Sequence, residues 1–219
     1  MLEEYNHFQA IFEKCKYTDR LLKKLVSLNK EIKVKSAQAD LDEVRKAIYY
    51  SRKFHGNQRR RTGEAYYSHP IEVAYMISDY LPRTDILVTS ILHDTIEDTE
   101  ATTEVIAELF GQQIADQVMD LTRIKDYGKI SSAQMVDLLW QEKKYDMLLI
   151  KQFDRLHNTQ TLYAQSPEKI RKTVEETMVS FVILAMQFEI PELKQALINN
   201  CLKALAITHN PLEAIKANY

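Results

Sequence analysis

Between residues 91 and 98 the chain reads Ile91-Leu92-His93-Asp94-Thr95-Ile96-Glu97-Asp98, an imidazole and three carboxylates closing an otherwise apolar segment. At roughly 100° per residue of α-helix, His93, Asp94, Glu97 and Asp98 share an arc of about 140°. Glu97 lies one turn beyond His93, and Asp98 one turn beyond Asp94. Like charges on one face repel unless a cation, a proton or basic side chains offset them. A bound metal is the economical account. A solvated acidic helix end is the competing one, because short acidic motifs have many origins.

Three other places carry chemistry-bearing residues. Asp154 follows the apolar run Met147-Leu148-Leu149-Ile150 and opens Asp154-Arg155-Leu156-His157-Asn158. A carboxylate emerging from a buried segment needs a partner, which is either a metal or a base such as Arg155. Asn158, one turn on, could hydrogen-bond a nucleotide, whereas a lone His such as His157 is more often a hydrogen-bonded framework residue than a ligand. His69 stands between Ser68 and Pro70, immediately before a helix. Arg59-Arg60-Arg61-Thr62-Gly63-Glu64 joins three guanidinium groups to a flexible glycine. Such a loop suits forked, charge-assisted bonds to diphosphate oxygens, and a solvated basic loop is its alternative.

The elements that must position these residues read as helices. Only four glycines occur, and the five prolines fall between periodic segments. Apolar residues recur at helical spacing in Leu2 to Cys15, in Leu21 to Leu28 and in Leu41 to Ile48, giving three helices before residue 55. Ser68-His69-Pro70 places a proline at the first helical position of a helix running through Ile77 towards Pro82. The periodicity predicts one helix over about Thr84 to Asp98, then helices near Thr103 to Phe110, Gln112 to Leu121 and Ser132 to Asn158. The last of these should break around Lys143 to Asp146, where apolar residues lapse. Ser166-Pro167 opens another, and Leu193 to Leu205 forms a terminal helix. No alternating run is long enough for a strand, so the expected fold class is all-α. Residues 1–40, ending in a polar connection, read as an N-terminal helical extension that covers apolar surface or mediates a homodimer. Residues 41–219 read as the domain carrying the chemistry.

Composition narrows the function classes. With 29 Lys+Arg against 31 Asp+Glu, no overall field points to nucleic acid or a membrane, so any anion site must be local. Cys15 and Cys201 match no metal-ligand spacing and read as reduced thiols. No signal-peptide pattern opens the chain and no stretch approaches the roughly 20 apolar residues of a membrane span, so a cytoplasmic location is expected.

Taken together, His69-Pro70, His93-Asp94, Glu97-Asp98 and Asp154-Arg155-Leu156-His157-Asn158 resemble the hydrolase domain of the RelA/SpoT alarmone enzymes in the HD phosphohydrolase superfamily. The similarity spans roughly Val44 to Leu184. It includes His55-Gly56-Asn57-Gln58, Arg60 with Thr62-Gly63-Glu64, and Phe110-Gly111, in the family's order. The resemblance implies a compact multi-helix HD-domain fold and one Mn²⁺ held by His69, His93, Asp94 and Asp154, with Zn²⁺ or Fe²⁺ as other occupants. It makes Glu97 and Asp98 the pair that serves the attacking water, and Arg60, Arg61 and Asn158 the substrate contacts. The implied reaction is hydrolysis of the 3′-pyrophosphate of guanosine 3′,5′-bis(diphosphate) by a small stand-alone enzyme. Another nucleotide phosphohydrolase activity, such as 2′-dephosphorylation of NADPH, or alarmone binding without turnover, are the rival readings. Ala65, Gln152-Phe153 and Gln160 depart from the family pattern without removing a metal ligand.

Overall fold

The structure, a computed structural model, describes residues 15–125 and 128–209. These described residues divide into two compact units, the first formed by those within 15–59 and 65–129, the second by those within 60–64 and 130–209. Both are helical, and the fold is all-α apart from a two-residue hairpin pair. The helix expected over Leu2 to Cys15 lies almost wholly outside the described residues.

In the first unit, α1 (Lys16–Glu31), α2 (Leu41–His55), α3 (Ser68–Ile77) and α4 (Thr84–Leu92) build the core. Helix α1 packs on α3, and α4 packs on both α2 and α3. Leu21 and Leu25 of α1 are fully buried within this unit. Lys24 of α1 also donates to the Tyr75 carbonyl at 2.7 Å and lies over the Tyr75 ring. Asp40 caps α2 by accepting from the Asp42 and Glu43 amides, satisfying two of the donors that every helix start leaves open. Pro70 is the third residue of α3 rather than the first, still within the turn whose N–H groups have no helical acceptor.

Residues 86–92 of helix α4 are all buried, so it ends inside the core rather than on its surface. The predicted continuous helix to Asp98 is interrupted at His93-Asp94 and resumes as α5 (Thr95–Asp98). Side chains take over backbone acceptors there: His93 Nδ1 meets the Ser90 carbonyl at 2.8 Å, and Thr95 Oγ1 donates to the Leu92 carbonyl at 2.6 Å. Helices α6 (Thr103–Phe110) and α7 (Gln112–Leu121) follow, separated by Gly111 at φ 87° and ψ 161°, a conformation that L side chains rarely adopt. The unit closes with strands β1 (Ile124–Lys125) and β2 (Gly128–Lys129), paired antiparallel.

In the second unit, α8 (Ser132–Gln141) starts with a Ser131/Gln134 capping box. The expected break follows, with Lys143 at φ 57°, before α9 (Tyr145–Gln160). Helix α9 is buried at every position from Met147 to His157, against α8 and the terminal helix α12 (Pro191–His209). Helix α10 (Pro167–Glu176) is capped by Ser166 with Pro167 as its first residue. A widened π-type turn over Thr177–Phe181 joins it to α11 (Val182–Gln187). The Phe181 carbonyl at that turn accepts from Gln152 at 2.9 Å, which gives this departure from the family pattern a structural purpose.

Candidate functional site

The start of α3 and the break after α4 bring His69, His93 and Asp94 together in the first unit. Both imidazoles are about 1% exposed, and a ligating nitrogen of each lies within 4.8 Å of the other's. His69 Nε2 is 3.5 Å from Asp94 Oδ2, and His93 Nε2 is 3.1 Å from Asp94 Oδ1. A carbonyl only accepts, so the Ser90 contact assigns the proton of neutral His93 to Nδ1 and turns the Nε2 lone pair towards Asp94. Two imidazole nitrogens facing the two oxygens of one carboxylate form the mixed donor set that first-row divalent cations take. These residues fit a metal.

Glu97 and Asp98, adjacent in sequence, have opposite surroundings. The Glu97 carboxylate receives Arg123 Nη2 at 2.6 Å, the Arg123 amide at 2.9 Å and Lys129 Nζ at 3.0 Å. Burial alone would raise its pKa, but these donors and charges hold it below the ordinary glutamate value. Asp98 receives the Tyr66 hydroxyl at 2.6 Å. Desolvation on its packed side and the charges of Asp94 and Glu97 push its pKa up, against the Tyr66 bond. The same hydroxyl lies 3.1 Å from Asp94 Oδ2.

Asp154 and the substrate candidates belong to the second unit. Asp154 is buried, bonded to Lys151 Nζ at 2.6 Å and to Asn158 Nδ2 at 2.6 Å. Lys151 is thus the base beside Asp154, while Arg155 is engaged with Glu176 at 2.7 Å and stacks over Phe181. Arg60 Nη2 donates to Asn158 Oδ1 at 2.9 Å and to Thr161 Oγ1 at 3.2 Å. Arg61 is exposed, and the Thr62 hydroxyl is buried without a hydrogen-bond partner among the described residues. His157 is buried in α9, as a framework histidine would be.

Sequence reasoning passed over Tyr66, Arg123 and Lys129. Tyr66 stands three residues before His69, a spacing that the one-turn start of α3 makes significant. Arg123 precedes β1 and Lys129 ends β2, two-residue strands too short to leave a periodic signal.

The family model described as HD domain matches residues 47–190, and the chain belongs to the HD-domain family. Among curated relatives, it is 34% identical over 173 residues to the GTP pyrophosphokinase rsh of Brucella ovis, covering 75% of this chain and 23% of that protein. It is also 34% identical over 162 residues to the guanosine-3′,5′-bis(diphosphate) 3′-pyrophosphohydrolase of Aquifex aeolicus, covering 71% of this chain and 23% of that one. The chain therefore matches just under a quarter of the length of these relatives. A solved structure described as a metazoan ortholog of SpoT that hydrolyses ppGpp superposes with a TM-score of 0.60 at 21% identity, covering 74% of this chain and 94% of that one. At that identity the likeness is one of fold.

Proposed function

We propose that this protein is a metal-dependent hydrolase that removes the 3′-pyrophosphate of guanosine 3′,5′-bis(diphosphate), with Mn²⁺ as its cation. The observation that carries the reading is the buried His69–Asp94–His93 arrangement beside Asp98, in a chain similar to the Aquifex pyrophosphohydrolase. His69, His93 and Asp94 are the ligands, with Asp154 as the fourth by resemblance. A divalent cation held there supplies Lewis-acid stabilisation of charge on the phosphoryl oxygens.

The chain's own residues supply the rest. Asp98 accepts the proton of the attacking water, whose oxygen bonds to phosphorus as the bond to the ribose 3′ oxygen breaks. Asp98 returns that proton to the departing 3′ oxygen, which leaves as a hydroxyl, and pyrophosphate is released, giving GDP, or GTP from the pentaphosphate. Glu97, next to Asp98 in sequence, fixes the two cations Arg123 and Lys129 through its carboxylate. Arg60, Arg61 and Asn158 hold the nucleotide, with Arg60 already oriented by Asn158.

Incubation of the purified protein with guanosine 3′,5′-bis(diphosphate), with and without Mn²⁺, should release pyrophosphate and GDP only when the metal is present. Prior chelation should abolish release and added Mn²⁺ restore it. Orthophosphate as the sole phosphorus product would overturn the pyrophosphohydrolase reading.

A further inference from the structure

Asp98 is held at two points, and both holds converge on one histidine. Its carboxylate accepts from the Tyr66 hydroxyl at 2.6 Å, and its main-chain carbonyl accepts from Gln58 Nε2 at 2.8 Å. His55 joins the two holders. Its ring stacks on the Tyr66 ring with centroids 4.6 Å apart and planes 24° from parallel, and its Nδ1 lies 2.9 Å from Gln58 Oε1.

The chemistry orders this arrangement. Gln58 gives its amide hydrogen to the Asp98 carbonyl, so its Oε1 is the acceptor facing His55, and His55 Nδ1 carries the proton. The other ring nitrogen, Nε2, is buried without a hydrogen-bond partner among the described residues. Burial holds the ring below the ordinary histidine pKa, against the Gln58 bond and the charges of Asp94 and Asp98. His55 is thus a neutral, flat spacer 2% exposed at the end of α2, fixing the Tyr66 ring through its face and the Gln58 amide through its edge. Tyr66 has one hydroxyl proton for two carboxylates. At 2.6 Å against 3.1 Å, that proton goes to Asp98 rather than to Asp94.

We infer that His55, Gln58 and Tyr66 form a positioning brace that sets the Asp98 carboxylate at the angle and height from which it serves the attacking water. The inference rests on Asp98 as the proton acceptor. It makes Tyr66 and Gln58 positioning residues that act through Asp98, with no demand that either touch the substrate. A carboxylate displaced by about 1 Å costs on the order of a hundredfold in rate.

The test uses the full chain with Mn²⁺ and guanosine 3′,5′-bis(diphosphate), and the wild type is assayed first. Tyr66→Phe should lower kcat by about tenfold to a hundredfold at unchanged KM, with Mn²⁺ affinity and thermal midpoint close to wild type. Gln58→Leu, at an exposed position, should do the same more weakly and provides a second reading if Tyr66→Phe fails to fold. Adding Tyr66→Phe to Asp98→Asn should cost nothing beyond Asp98→Asn alone, because both changes act through one carboxylate. An undiminished kcat, a fully additive double variant, or a loss explained by weaker Mn²⁺ binding through Asp94 would each overturn the brace. Crystal structures of the wild type and Tyr66→Phe decide the question independently of turnover. The Asp98 carboxylate should leave its wild-type position, and an unmoved one refutes the inference. A wild type that releases no pyrophosphate would instead count against the proposed function.

Discussion

Arg60 and Asn158, 98 positions apart in sequence, are joined by a hydrogen bond of 2.9 Å from the guanidinium Nη2 to the amide oxygen. Two residues with a claim to the nucleotide are therefore one unit, in which Asn158 also donates to Asp154. Arg60→Ala should lower kcat/KM by about tenfold to a hundredfold, the value of one or two bonds to a charged group, chiefly through KM. Asn158→Ala should produce part of the same loss by releasing Arg60, and the two substitutions together should cost less than the product of their separate effects. Steady-state kinetics on the three variants check this, and full multiplicativity would show that the two act apart.

The neighbours Glu97 and Asp98 should separate under substitution. Asp98→Asn should lower turnover by about 10²–10⁴-fold to a measurable residual rate while nucleotide binding persists, since only a proton acceptor is removed. Glu97→Gln should weaken the bonds to Arg123 and Lys129 and cost about 1–3 kcal/mol of stability together with a partial loss of rate. Equilibrium binding of the nucleotide by calorimetry, set beside turnover and thermal melts, distinguishes the two. Loss of binding in Asp98→Asn would remove Asp98 from the proton-transfer role.

Glu176 offers a pH signature in the second unit. Burial works to raise its pKa, but the charge and hydrogen bond of Arg155 and the Ala133 and Ser132 amides outweigh it, so the folded value lies below the ordinary 4.5. A carboxylate depressed in this way stabilises fully above its unfolded pKa and ceases to as pH falls through the folded value. The gap in melting temperature between wild type and Glu176→Gln should therefore be widest near neutrality and shrink as pH falls below about 4.5. A gap constant from pH 7 to 3 would show that the charge on Glu176 contributes nothing.

Leu25 tests what the segment before residue 40 does. It is fully buried, as is Leu21 one turn earlier. Leu25→Ala should cost about 2–5 kcal/mol, read from the urea midpoint. A change below about 0.5 kcal/mol, typical of surface sites, would make α1 a dispensable cover.

Much of this protein follows from its sequence alone. The all-α class and most helix limits follow from apolar period, caps and prolines, since Asp40, Ser131 and Ser166 satisfy amide donors locally and need no distant partner. The candidate ligands and the candidate nucleotide loop stood out through their joint order and its resemblance to a known family, since each motif alone also fits a structural reading. Only the tertiary structure decided how they are used. The interruption at His93-Asp94 depends on side-chain bonds that helical spacing does not encode, and it replaces the regular arc with a cluster. The Arg123 and Lys129 pairs of Glu97, the Lys151 pair of Asp154 and the Tyr66 hold on Asp98 are set by packing in three dimensions. They turn adjacent carboxylates of the same chemical type into groups with opposite pKa shifts, because a carboxylate's behaviour is fixed by what surrounds it and not by its place in the chain.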